Sequence, residues 1–173
     1  MSARPQPQEP VRAVIFDYGG VLRREDAADF DDFAAEVGLP RGVLWAAFHD
    51  IPAYRLSRTG RLDAAGHRAA VVEALTPYVD RREAEAALAA FDARRASDAP
   101  VEPAMSALLG RLAGRGRLGL LSNAGAGARA RLEALGVTAP FDDIVCSGEL
   151  VVAVKPDREH AVSLVRGVAR DDQ

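Results

Sequence analysis

The sequence predicts an α/β fold, a small parallel sheet interrupted early by an all-helical insert. Three observations predict it. The stretch VRAVIFDYGGVL contains an apolar run, Ala13 to Phe16, without period-2 alternation, which suits a strand buried on both faces. From Arg23 to about Ser97 the text reads as helix throughout. Beyond Pro103 helices and short strands alternate, the order expected of a parallel sheet with helical crossovers.

Each element has its own reason. The first strand covers 11–16. Phe30, Phe33, Ala34 and Val37 follow the i, i+3, i+4, i+7 rule of an amphipathic helix, and Gly38 is placed to end it. Residues 40–49 predict a short helix carrying Trp45 and Phe48. Asp63 suits an N-cap for a helix through Val79, with Val72, Leu75 and Val79 on one face. The Ala- and charge-rich stretch 81–95 predicts another helix. Pro103 opens a helix with Met105, Leu108, Leu109 and Leu112 on one face. GRLGLLSN predicts a strand through Leu121, 127–135 a helix ended by Gly136, and DDIVCS a further strand. ELVVAVKPD is apolar up to Lys155, and Ala161, Leu164, Val165 and Val168 mark a last helix. The organisation is therefore discontinuous. A polar, Pro-rich tail (1–10) reads as disordered, 11–22 and 99–173 form an α/β core, and 23–98 form a helical insert.

Composition narrows the function. A chain of 173 residues buries roughly 70% of its unfolded surface and needs no disulfide or metal staple. A net charge of -3 provides no field to attract nucleic acid. No apolar run is long enough for a membrane span, and the tail lacks the apolar region of a signal peptide. The single cysteine, Cys146, excludes an intrachain disulfide and fits a cytoplasmic location; it reads as a buried structural thiol. His49, His67 and His160 show no metal-ligand spacing. Asp26, Asp29, Asp31 and Asp32 read as a solvated helix face, and Trp45, Phe48 and Tyr54 as the interior of the insert.

Ligands of open parallel sheets bind at the carboxyl ends of the strands. Asp17, Ser122 with Asn123, and Lys155 all fall at such ends. Taken singly, each has a plain structural reading: Asp17 as a turn residue, Ser122 or Asn123 as a helix N-cap, Lys155 as a solvated lysine. Yet Lys155 is the only lysine among 22 basic residues, in a chain that uses Arg everywhere else. Lysine is a compact point charge and Arg a planar fork, so a small phosphoryl site would distinguish them. Taken together, a carboxylate, a hydroxyl and an ammonium suit phosphoryl transfer. The carboxylate attacks phosphorus; the other two, with N–H groups exposed by Gly19 and Gly20, hold its oxygens.

VIFDYGGVL, LLSNAG and SGELVVAVKPD, in that order, resemble the first three motifs of the haloacid dehalogenase-like (HAD) hydrolase superfamily. The subgroup is the one with a helical cap inserted after the first motif. The resemblance runs from about Val11 to the end. It implies a Rossmann-like parallel sheet core with the helical insert as cap, and a phosphatase of small phosphorylated metabolites working through an aspartyl-phosphate. Asp17 would be the nucleophile. Ser122, Asn123, Lys155 and Gly20 would hold the phosphate, and Asp17 with the Gly19 carbonyl would bind Mg²⁺. Dehalogenation by the same Asp is a lesser reading, and a non-catalytic interaction domain is the alternative. A receiver domain also orders Asp, Ser/Thr and Lys, but its acceptor Asp sits mid-chain with no helical insert before the next strand.

Two departures stand out. The family's acid–base Asp, two residues after the nucleophile, is Gly19 here. The fourth motif, an apolar strand ending in Asp well beyond the lysine, has no counterpart, because only 18 residues follow Lys155 and Asp171 and Asp172 follow no apolar strand. Incomplete at the C-terminus, the core would bind Mg²⁺ weakly. It would also expose Val14–Phe16 as a sheet edge, open to pairing in a homo-oligomer.

Overall fold

The structure, a computed structural model, describes residues 11–97 and 100–150. It is an α/β fold, as the sequence predicts. Strand β1 (Ala13–Phe16) is followed by helices α1 (Ala27–Glu36), α2 (Val43–His49), α3 (Pro52–Arg58), α4 (Ala64–Leu75) and α5 (Arg81–Ser97). Then come α6 (Pro103–Leu112), β2 (Arg117–Ser122), α7 (Ala128–Ala134), β3 (Asp143–Cys146) and the short α8 (Ser147–Leu150). The three strands form one parallel sheet in the order β1-β2-β3. Phe16 lies opposite Leu120, and Ser122 opposite Cys146.

The central strand owes its burial to its position. Leu118, Leu120 and Ser122 of β2 are all buried, with a neighbour strand on each side. Strand β1 departs from expectation. It begins at Ala13 rather than Val11, and Ile15 is 38% exposed while Phe16 is buried. Among the described residues β1 pairs only with β2, so within them it lies at the sheet edge.

Local chemistry sets the helix ends. Asp26 caps α1 by accepting the Ala28 N–H at 3.0 Å, and Asp63 caps α4 through Gly66 at 2.7 Å. Asp80 and Glu83 form a capping box before α5, each carboxylate accepting the other's backbone N–H. Gly38 and Gly136, with φ of 74° and 70°, close α1 and α7. In each the next residue, Leu39 or Val137, donates back to the helix and is buried. Helix α4 stops at Leu75, short of Val79, because Pro77 cannot continue it. Helix α3 shows no apolar stripe, its only buried residue being Ser57, and so left no signal in the periodicity.

The apolar interior forms two groups that share no residue. One joins only residues 30–91 and centres on Phe30, whose ring meets Trp45 at 5.0 Å, Phe48 at 5.6 Å and Phe91 at 4.8 Å. The other joins Phe16 and Leu22 to residues 109–146 around β2. His49 and His67, far apart in sequence, both pack near Tyr54 and Phe48. Each has a backbone carbonyl partner, Trp45 and Phe48 respectively, as satisfied interior histidines should. The acidic face of α1 is partly structural: Asp26 is a cap, and Asp31 accepts from Gly42 N and Arg41.

Candidate active site

All three parallel strands end on the same edge of the sheet, and the predicted residues within the described chain sit along it. Asp17 follows the last paired residue of β1. Its carboxylate accepts the N–H of Tyr18 at 2.8 Å, which orients it. Two positions beyond the partner of Phe16, on the adjacent strand, comes Ser122, only 5% exposed, then Asn123. Lys155, His160 and the expected last helix lie outside the described residues.

A compact turn follows Asp17. The Tyr18 carbonyl accepts from Leu22 N at 3.0 Å and Arg23 N at 2.9 Å, and buried Leu22 anchors the turn in the core. Gly20 has φ 77°, which favours glycine. Its N–H donates to the Arg23 carbonyl at 2.8 Å. In this structure the turn takes up the Gly20 N–H. Gly19 is different. Its φ lies outside the left-handed region, so the backbone does not demand glycine, and a Cβ there would meet Glu25 Oε2 at 2.7 Å.

The loop after β2 packs tightly on α8, the helical turn that follows β3. Gly148 N donates to the Ala124 carbonyl at 2.8 Å. The helical segment reaches this edge through α3, where a Cβ on Gly125 would stand 2.5 Å from Ser57 Oγ and 3.6 Å from Arg58 Nη1. Arg58 lies over the Tyr54 ring at 4.6 Å, and its Nε is buried without a hydrogen-bond partner among the described residues. Sequence reasoning missed Glu25, Ser57 and Arg58, because no spacing marks them.

The segment after β1 is clamped to the last turn of α5. Arg23 donates to the Arg95 carbonyl at 2.8 Å, and Arg95 pairs with Glu25 Oε1 at 3.3 Å. A cleft of about 290 Å³ opens there, but its lining includes neither Asp17 nor Ser122, so it is not where the predicted chemistry lies. Among the described residues no three His, Cys, Asp or Glu side chains gather to hold a metal, and no helix is long and apolar enough to cross a membrane.

A parallel sheet with these residues on its carboxyl edge, entered by a long helical segment straight after the first strand, has the fold of the HAD-like hydrolases. A HAD family enzyme from Bacteroides thetaiotaomicron, solved with magnesium and inorganic phosphate, superimposes with a TM-score of 0.64 at 19% identity, covering 92% of this chain and 80% of that one. A predicted HAD-like family hydrolase from Porphyromonas gingivalis gives 0.59 at 17% identity, with coverages of 90% and 75%. A HAD-superfamily hydrolase of subfamily IA, variant 1, from Geobacter sulfurreducens gives 0.51 at 22% identity, with coverages of 90% and 71%. No protein-family model and no curated protein matches the sequence.

Proposed function

We propose that this chain is a HAD-like hydrolase acting as a phosphatase on small phosphorylated metabolites, through an aspartyl-phosphate on Asp17. The observation that carries the reading is that β1 and β2 end side by side, one leading into Asp17 and the other closing on Ser122. In this reading 11–22 and 99–173 form the catalytic core, and 23–98 form a cap that shapes the substrate pocket. The two separate apolar groups support that division.

Asp17 attacks phosphorus as the ester oxygen leaves, and water later cleaves the acyl-phosphate. The Ser122 hydroxyl and the Asn123 amide hold the phosphoryl oxygens, and Lys155 balances their charge. The hard oxygens of Asp17 and the Gly19 carbonyl are of the kind Mg²⁺ takes, though too few for a closed site, so the ion would keep most of its waters. When bound, Mg²⁺ offsets the repulsion between the Asp17 carboxylate and the phosphoryl oxygens. The magnesium and phosphate in the Bacteroides enzyme support both choices.

Hydrolysis of p-nitrophenyl phosphate with Mg²⁺ tests the reading. Turnover by the wild-type chain that Asp17→Asn abolishes is the expected result. Turnover unchanged by that substitution would remove Asp17 as nucleophile.

A further inference from the structure

We propose that Arg58, with Ser57 beside it on α3, binds a second oxyanion of the substrate, a carboxylate or phosphate carried by the leaving group. The inference rests on the phosphatase reading and names the class of ester: a small phosphate monoester bearing one further anion.

The starting point is an unmet donor. Arg58 is half-buried, and its Nε is buried with no hydrogen-bond partner among the described residues. Arginines more open to water, such as Arg41 and Arg81, each hold a carboxylate. Arg58 pairs with none among the described residues. A buried guanidinium N–H without an acceptor is costly, and an acceptor brought by a ligand removes that cost. Nε and the adjacent Nη form a planar fork, the geometry that grips two oxygens of one oxyanion.

The neighbours hold the fork without neutralising it. The guanidinium lies over the Tyr54 ring at 4.6 Å. That ring also meets His49 at 5.2 Å and His67 at 6.3 Å. None of the three carries a negative charge, so the charge of Arg58 is left for a bound anion.

The docking of α3 places the pair beside the strand ends. Ser57 Oγ and Arg58 Nη1 stand 2.5 and 3.6 Å from where a Cβ on Gly125 would be. The φ of Gly125 lies outside the left-handed region, so what glycine provides there is room for α3 to close on the loop. Ser57 is buried, and its hydroxyl faces the same gap as the guanidinium. Gly125 comes three residues after Ser122, in the loop that leaves β2. Three residues span at most about 11 Å, so the two positions suit the two ends of one small molecule.

The test uses the full chain with Mg²⁺ and matched pairs of esters. The phosphate esters of glycolic and 3-hydroxypropionic acid are compared with their carboxamides, and the bisphosphate of propane-1,3-diol with its monophosphate. The wild-type chain should favour an ester with the second oxyanion by about 10- to 100-fold in kcat/KM, as one charge-assisted hydrogen bond provides. Arg58→Ala should bring that ratio to about one, and Arg58→Lys, with the charge but no fork, should keep only part of it. Ser57→Ala should lower it less. Loss of the charge weakens every phosphate ester, and damage to the fold lowers both members of a pair alike, so the ratio carries the reading. A preference for the carboxylates that Arg58→Ala removes identifies the second group as a carboxylate; one for the bisphosphate identifies it as a phosphate. Wild-type ratios within about threefold of one on every pair would overturn the proposal. So would a preference that Arg58→Ala leaves in place. In either case Asp17-dependent turnover of p-nitrophenyl phosphate leaves the phosphatase reading standing; its absence removes both.

Discussion

The N–H of Gly148 donates to the carbonyl of Ala124 at 2.8 Å, and a methyl group on Gly148 would stand 2.6 Å from that oxygen. The same methyl would meet Gly125 C at 2.6 Å and Ala126 N at 2.7 Å, all backbone atoms with little freedom to yield. Gly148→Ala should therefore force α8 away from the loop that follows β2. A loss of about 2 kcal/mol or more is expected, as for other overpacked sites. Denaturant unfolding measures it; a midpoint unmoved from wild type would show that α8 and the loop part freely.

Arg58 reaches the same loop from the helical side, close to Gly125, with a buried Nε lacking a partner among the described residues. An anionic substrate at the sheet edge would give it one. Hydrogen bonds to charged groups contribute about 1.5–3 kcal/mol, so Arg58→Ala should raise KM for p-nitrophenyl phosphate about tenfold or more. Because the loss is of binding, kcat should change less. A kcat loss at constant KM would place Arg58 in the chemical step instead.

His49 and His67 make the fold sensitive to mild acid. Burial, the largest influence on each, lowers both below the usual 6.5; Arg58 adds to this for both and Arg95 for His49, while Glu25 and the carbonyl partners oppose it. A histidine that protonates less readily when folded contributes stability that is complete above pH 6.5 and lost as pH falls below it. Tm should accordingly fall between about pH 6.5 and 5. Asp26 and Asp31 are held below their usual 3.8, so their contributions are lost only in stronger acid. Replacing both histidines by Gln should flatten the profile in the upper window. A slope unaltered by that double change would assign it elsewhere.

Cys146 is fully buried on β3, and desolvation pushes its thiol up to about 11. With so little thiolate, a disulfide reagent at pH 8 should label the folded protein only as fast as it opens, and the denatured protein at once. Stoichiometric labelling of the native chain within minutes would contradict this.

Much of the fold is legible locally. Short apolar runs set β1, β2 and β3; Asp63 starts α4, and Gly38 and Gly136 end α1 and α7. These signals survive because they depend on neighbours within a few residues. Helix α3 was not legible: seven residues with one buried serine carry no period. Of the site, the positions of Asp17 and Ser122 followed from strand ends. The hydrogen bond of the Gly20 N–H did not, because it depends on how the turn closes.

By itself the sequence determined that Asp17 and Ser122 would stand at strand ends and that a helical segment would separate the first strand from the second. Only the tertiary structure decided what meets them there: Glu25 filling the space at Gly19, and Ser57 and Arg58 brought onto Gly125. Those contacts arise from the closing of one turn and the docking of one short helix, and no periodicity in the chain encodes either.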